Sequence, residues 1–293
     1  MLITLVLTML TPAQDKKEYA RPKLLAEPAA LLKEDGRKGF VFLDARRKAE
    51  YLTGHVPGAV WVDHAAWSKT FAKGDKAEWA SRIGALGIGK DTKVIVYDAS
   101  QNKDAARIWW ILRYWGVEDV RLLNGGWGGW KSAGGEINKE LTEVTAVKAE
   151  LTDQTDRLAT KGDLLKAIEK KSLGQLVDAR SEGEYCGETT TAQRNGSIPD
   201  AKHLEWSDTI DKKTGRFKTA AELTKLFEAA GIDPTKPATT YCQSGGRASV
   251  MAFVLELVGG AKAKNYYASW AEWGNDDKTP VARPKPKAKK KDE

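Results

Sequence analysis

The chain has 293 residues, a length that points to two domains. At 41% hydrophobic and 30% charged it is ordinary globular material with core enough for both. Two cysteines exclude a disulfide-built scaffold, and together with His55, His64 and His203 they show no metal-ligand spacing. The formal net charge of +7 is concentrated at one end, since residues 283–293 carry +4 of it. That Lys/Pro/Ala composition predicts a solvated, disordered basic tail over 276–293, with no nucleic acid expected as partner.

Residues 1–10 are apolar apart from two threonines, and Thr11-Pro12-Ala13-Gln14 follows. This predicts a signal peptide or leader within 1–20, cut near Ala13, and favours an exported, periplasmic protein. The first basic residue is only Lys16, so the α-amino group alone supplies the leader's positive end. The stretch is too short to cross a bilayer as a helix, and no membrane span is expected in the mature chain.

A helical pattern follows over 24–39, with Leu24, Leu25, Leu31 and Leu32 between charged residues. Phe40-Val41-Phe42-Leu43-Asp44 is short and continuously apolar, as a buried parallel strand is. Residues 81–86 read as helix and Val94-Ile95-Val96-Tyr97 as a second buried strand. Residues 104–115 then form a helix with an aromatic face of Trp109, Trp110, Tyr114 and Trp115, followed by the strand Val120-Arg121-Leu122-Leu123. Strands alternating with helices predict an α/β domain with a mainly parallel sheet.

The pattern then repeats. Leu176-Val177-Asp178-Ala179-Arg180 matches Phe42-Leu43-Asp44-Ala45-Arg46, and Glu184-Tyr185 matches Glu50-Tyr51, both at an offset of 134. Ile198-Pro199-Asp200-Ala201 matches Val56-Pro57-Gly58-Ala59 at an offset of 142, so the second copy carries eight extra residues between those points. A period of about 140 residues is a duplicated domain rather than a solenoid. The copies span 21–136 and 156–275, joined by a polar linker over 137–155.

One position separates the copies chemically: Tyr241-Cys242 stands where the first copy has Tyr97-Asp98. Cys242 follows a β-prone segment, and Gln243-Ser244-Gly245-Gly246-Arg247 leads from it into an apolar helix. In such a loop successive N–H groups converge on an anion, the helix N-terminus adds partial positive charge, and a thiol is shifted toward thiolate. Gly245 and Gly246 let the loop close, and Arg247 adds a fixed cation or forms an internal salt bridge with Glu184 or Asp178. Asp98 is already anionic and a poor nucleophile, so the first copy is expected to be catalytically inactive and to form one wall of the site. A Cys…Arg ring in a phosphatase encloses five residues, whereas Cys242 and Arg247 enclose four, a ring suited to a single sulfur atom. Asp178 and Arg180 are expected to form a structural ion pair, and Cys186 to be an incidental thiol.

These features together resemble the tandem-domain rhodaneses, the thiosulfate and 3-mercaptopyruvate sulfurtransferases. The match rests on Asp44-Ala45-Arg46, Gly54-His55-Val56-Pro57-Gly58-Ala59, Asp178-Ala179-Arg180, the cysteine loop, and the Trp127…Trp130 and Trp270…Trp273 pairs. The resemblance implies two tandem rhodanese-like domains and a thiosulfate sulfurtransferase that carries sulfur as a Cys242 persulfide. It implies Gln243, Ser244, Gly245 and Gly246 as the active-site loop, Arg194 and Arg247 as substrate-binding cations, and no cofactor. The partners it implies are a small sulfur donor, thiosulfate or 3-mercaptopyruvate, and a thiophilic acceptor, cyanide or a thiol, on a monomer. Two departures leave the donor open. Ser197 stands where the family has His, and the loop has neither the Arg-Lys pair of vertebrate thiosulfate enzymes nor the Gly-Ser-Gly-Val-Thr run of mercaptopyruvate enzymes. A 3-mercaptopyruvate enzyme and a non-enzymatic persulfide carrier or sensor are the alternatives.

Overall fold

A computed structural model describes residues 18–71 and 74–286. The expected leader, up to residue 17, and the basic tail from residue 287 lie outside them. Tyr19 is already part of the fold, its hydroxyl donating to the Lys218 carbonyl at 2.7 Å.

The first copy runs β1 (Leu25–Ala26), α1 (Pro28–Leu31), β2 (Phe40–Asp44), α2 (Lys48–Thr53), β3 (Ala59–Trp61), α3 (His64–Phe71), α4 (Lys76–Gly84), β4 (Lys93–Tyr97), α5 (Lys103–Tyr114), β5 (Val120–Leu123) and α6 (Gly126–Ser132). The second runs α7 (Lys161–Glu169), β6 (Gln175–Asp178), α8 (Glu182–Cys186), β7 (Lys202–His203), α9 (Ala220–Ala229), β8 (Ala238–Tyr241), α10 (Gly246–Gly259), β9 (Ala263–Asn265) and α11 (Ser269–Trp273). Each copy has one sheet in which every strand pair is parallel, ordered β1-β5-β4-β2-β3 and β7-β6-β8-β9. The α/β class and the duplication expected from sequence are both present.

Two expectations need correction. The helical pattern over 24–39 yields only the four-residue α1, because Leu25 and Ala26 instead pair with Leu122 and Leu123 as an edge strand. The residues expected as tail are packed against the second copy from 276 through 282. Ala282 bridges Ser197, Trp273 Nε1 donates to the Pro280 carbonyl at 2.8 Å, and Thr279 is buried. The linker is also laid along the first copy, with Asn138 bridged to His55 and the Val147 N–H donating to the Gly84 carbonyl.

The same scaffold pair recurs at the ends of β2 and β6. Arg46 grips Asp44 at 2.5–3.0 Å and donates to the Gly54 carbonyl; Arg180 grips Asp178 at 2.6–3.1 Å and donates to the Gly196 carbonyl. Each guanidinium lies over the matching tryptophan, 4.2 Å from Trp127 and 4.5 Å from Trp270. The structural ion pair expected for Asp178 and Arg180 is therefore what the fold contains.

The copies share a hydrophobic core built on α5 and α10. Trp109 meets Phe253 edge-on at 5.0 Å, and Trp110 beside it, fully buried, stacks on Tyr267 of the second copy. Aromatic side chains bury the largest areas and so contribute most to such an interface. Fully buried Glu256 sits on Arg157 at 2.6 Å and reaches Arg21 at 3.5 Å, tying the beginning of the first copy to the second. Among the described residues no helix is long and apolar enough to cross a membrane.

Candidate active site

Cys242 stands at the C-terminal end of β8, where open α/β sheets place their ligand sites. Its main chain is held on both sides. Its N–H donates to Ser269 Oγ at 3.1 Å, and its carbonyl accepts from the Trp270 N–H at 3.0 Å. The next carbonyl, of Gln243, accepts from Ala271 at 2.9 Å. Ser269 holds a left-handed φ of 56°, and its hydroxyl is aimed by donating to the Tyr266 carbonyl at 2.7 Å. A non-glycine residue held there signals local strain retained for position.

The loop then turns through Gly245, the N-cap of α10, at φ 83°. A Cβ at this glycine would lie 2.7 Å from the Tyr267 ring. Both the angle and the ring therefore require glycine. The Gly245 carbonyl is fixed by the Ser249 N–H, the Ser249 hydroxyl and Asn265 Nδ2. Among the described residues, no protein oxygen or nitrogen accepts from the N–H groups of residues 244–248. These are the orphan donors of a loop and first helical turn that begins at the buried Cys242.

Arg247 forms a forked pair with Glu184, at 2.6 and 2.8 Å. This is one of the two readings the sequence leaves open for it. Burial disfavours the guanidinium charge, but the Glu184 carboxylate and the Cys242 sulfur beside it hold Arg247 above the ordinary guanidinium range. Burial would raise Glu184, yet Arg247 and the Ser181 cap of α8 outweigh it and pull the carboxyl down to about 2.

The Asp98 loop shows what this architecture is built to hold. Asp98 Oδ1 accepts from the N–H groups of Ser100 and Asn102 at 3.0 and 2.9 Å. Its Oδ2 accepts from Asp104 and Ala105, both at 2.8 Å, and from the Ser100 hydroxyl. Burial pushes the Asp98 carboxyl up, and these donors work in the opposite direction. A carboxylate thus sits at the focus of four backbone donors, at the place the second copy gives to Cys242.

Of the expected site residues, the structure brings Cys242, Gln243, Ser244, Gly245, Gly246 and Arg247 together in one loop. Arg194 has other work. Its guanidinium donates to the carbonyls of Trp273 and Thr279 at 2.8 Å each, and also to the Asp276 carbonyl and the Thr279 hydroxyl. Four acceptors commit it to bracing the segment after α11. Its buried Nε keeps no hydrogen-bond partner among the described residues. His55 is structural, with both ring nitrogens on backbone carbonyls.

Three residues near the loop escape the sequence reading: Ser269, Tyr267 and Arg107. Ser269 could have been found from the repeat, since it replaces Gly126 just before the shared tryptophan. Arg107 reaches the loop from the first copy and donates to the Ser244 carbonyl and the Tyr267 hydroxyl, both at 2.8 Å. A cleft of about 480 Å³ opens between the copies beside Tyr267, lined by Phe71, Tyr114, Trp115 and Tyr266. Among the described residues no cluster of three or more His, Cys, Asp or Glu side chains could hold a metal ion.

A rhodanese-like domain model matches residues 27–133 and again 160–276. The chain is 36% identical over 251 residues to a sulfur carrier protein, TtuD, of Thermus thermophilus, covering 80% of this chain and 87% of that one. It is 32% identical over 282 residues to a thiosulfate sulfurtransferase of Corynebacterium glutamicum, covering 90% and 92%. Among solved structures it resembles SseA of Escherichia coli, a 3-mercaptopyruvate sulfotransferase, with a TM-score of 0.70 at 26% identity over 84% of this chain and 98% of that one.

Proposed function

The chain belongs to the rhodanese-like family and is a sulfurtransferase, and we propose that it moves a sulfane sulfur from thiosulfate to a thiophilic acceptor through a persulfide on Cys242. The observation that carries this is the paired loops. One copy closes its N–H cradle on a carboxylate, and the other has a buried cysteine at the matching position, followed by a loop whose N–H groups have no protein oxygen or nitrogen as partner among the described residues.

The Cys242 thiolate attacks the outer sulfur of thiosulfate. The new Sγ–S bond forms as the donor's S–S bond breaks, and sulfite leaves with the electron pair. The negative charge then rests on the terminal persulfide sulfur, where the N–H groups of residues 244–248 stabilise it. In the second half the carbon of cyanide attacks that sulfur, the Sγ–S bond breaks, and thiocyanate departs as the thiolate is restored. A thiol acceptor takes the sulfur in the same way and becomes a persulfide itself. Neither half needs a general base once the thiol is ionised.

The charge balance favours a second reading beside the first. Arg247 is paired with Glu184 and Arg194 donates to the carbonyls of the segment after α11, so neither guanidinium is held open for a dianion. That suits a persulfide carrier loaded by another sulfurtransferase, or 3-mercaptopyruvate, which carries one negative charge. Steady-state thiocyanate formation with thiosulfate and 3-mercaptopyruvate as rival donors separates the readings. A kcat/KM preference for thiosulfate supports the proposal, and a preference for mercaptopyruvate replaces its donor. A Cys242 persulfide formed without turnover on either makes the protein a carrier.

A further inference from the structure

Arg107 is a buried cation of the inert copy, and two of its three hydrogen-bond partners lie in the catalytic one. Its Nη1 lies 2.7 Å from Ser68 Oγ on its own side and 2.8 Å from both the Ser244 carbonyl and the Tyr267 hydroxyl across the junction, three acceptors sharing its two hydrogens. The Tyr267 ring in turn packs on Gly245 and stacks on Trp110 at 5.1 Å. A Cβ at Gly246 would lie 2.5 Å from Arg107 Nη2, so the second glycine of the loop is what admits the guanidinium.

A trans peptide points its carbonyl and its N–H in opposite directions. Arg107 draws the Ser244 carbonyl outward toward α5, so the Gly245 N–H of the same peptide faces the other way, into the loop. The repeat supplies a control. Setting the N-caps Asn102 and Gly245 in register places Arg107 level with Val250, so α10 offers no such cation to the inert loop. That loop has Asp98 to organise its donors from within. The Cys242 loop has no internal anion of this kind and is braced from outside.

Building on the sulfur-transfer reading, we propose that Arg107 is a positioning residue for the catalytic loop, supplied by the copy that lost its own chemistry. It fixes the Ser244–Gly245 peptide so that the loop's donors converge on the Cys242 sulfur. The other charges around that sulfur are Arg247 with its partner Glu184, and Asp178, itself held by Arg180.

The test uses the full chain and two variants, Arg107→Met, which removes the fork, and Gly246→Ala, which displaces it without removing a charge. Iodoacetamide alkylation of Cys242, followed by mass spectrometry across a pH series, reads the loop directly. Losing one charge-assisted hydrogen bond is about a tenfold effect, so alkylation at neutral pH slows by about that factor in Arg107→Met. In turnover kcat falls while KM for thiosulfate holds, because Arg107 does not touch the donor. Gly246→Ala shifts both readouts the same way, and Arg107→Lys recovers part of the loss. Wild-type alkylation and kcat in folded Arg107→Met and Gly246→Ala would overturn the proposal. If Arg107→Met fails to fold, Gly246→Ala decides alone. If the wild type takes no sulfur on Cys242, the sulfur-transfer reading fails, while the alkylation comparison still decides the role of Arg107.

Discussion

The Asp98 and Cys242 loops occupy the same place in two copies of one fold, and they satisfy their backbone donors in different ways. Asp98 draws four N–H groups onto its own carboxylate, and the Gly215 carbonyl of the other copy accepts from Asn102 Nδ2 at 2.9 Å. Cys242 has only one sulfur to offer, and its loop is held from outside by Ser269, Trp270 and Arg107. The Asp98 loop is one residue longer between the strand and the helix N-cap, and it needs no glycine there because Gln101 and Asn102 hold positive φ. The difference teaches that the cradle belongs to the scaffold, while reactivity belongs to what stands at its focus.

The largest effect separates the two thiols. Cys242→Ala should abolish sulfur transfer, and Cys186→Ala should leave most of it. Cys186 lies outside the loop, and burial together with the Glu182 and Glu188 carboxylates pushes its thiol up, away from the reactive form. Thiocyanate assays of both variants check this, and equal loss from both would end the single-nucleophile account.

Breaking the inert loop should act on stability and spare the chemistry. Asp98→Ala strands four donors, two of them on the buried residues Asn102 and Ala105, and should cost about 3 kcal/mol. A urea melt would show the loss. Turnover per folded molecule should stay near the wild-type value, and a selective loss of turnover would mean that the inert loop serves catalysis directly.

Arg194→Ala sharpens the comparison at the edge of the site. It removes the brace between α11 and the segment at 276–279, so a lowered melting temperature with KM for thiosulfate unchanged is expected. A KM several-fold higher with no change in melting would return this arginine to the substrate.

The smallest effect is a pH dependence. Glu184 has its carboxyl held at about 2, below its ordinary 4.5, by the pair with Arg247. A lowered carboxyl pKa stabilises the fold fully above 4.5, and the contribution fades as pH falls from there toward about 2. Glu184→Gln should therefore flatten part of the acid limb of a stability curve measured across that window. An unchanged limb would show that the pair contributes nothing.

The duplication, the central strands and the cysteine loop were legible in the sequence because each is written locally, in apolar runs, glycines and repeated Asp-Ala-Arg. The helix expected over 24–39 was not, because Leu25 gains more by joining an edge strand through contacts almost a hundred residues away. The bracing bonds of Arg194 were hidden for a related reason. Its partners at 273–279 lie 79–85 residues downstream, and no local pattern announces them. Arg107 left only a faint mark, a charge inside an otherwise apolar helical face, and its meaning depends on Ser244 137 residues away.

The most direct test of the central claim is the mass of the intact chain after exposure to thiosulfate under non-reducing conditions, with the modified peptide then located. The account predicts a gain of one sulfur on Cys242, released by cyanide and absent in Cys242→Ala. No gain, or a gain that persists in Cys242→Ala, would contradict it.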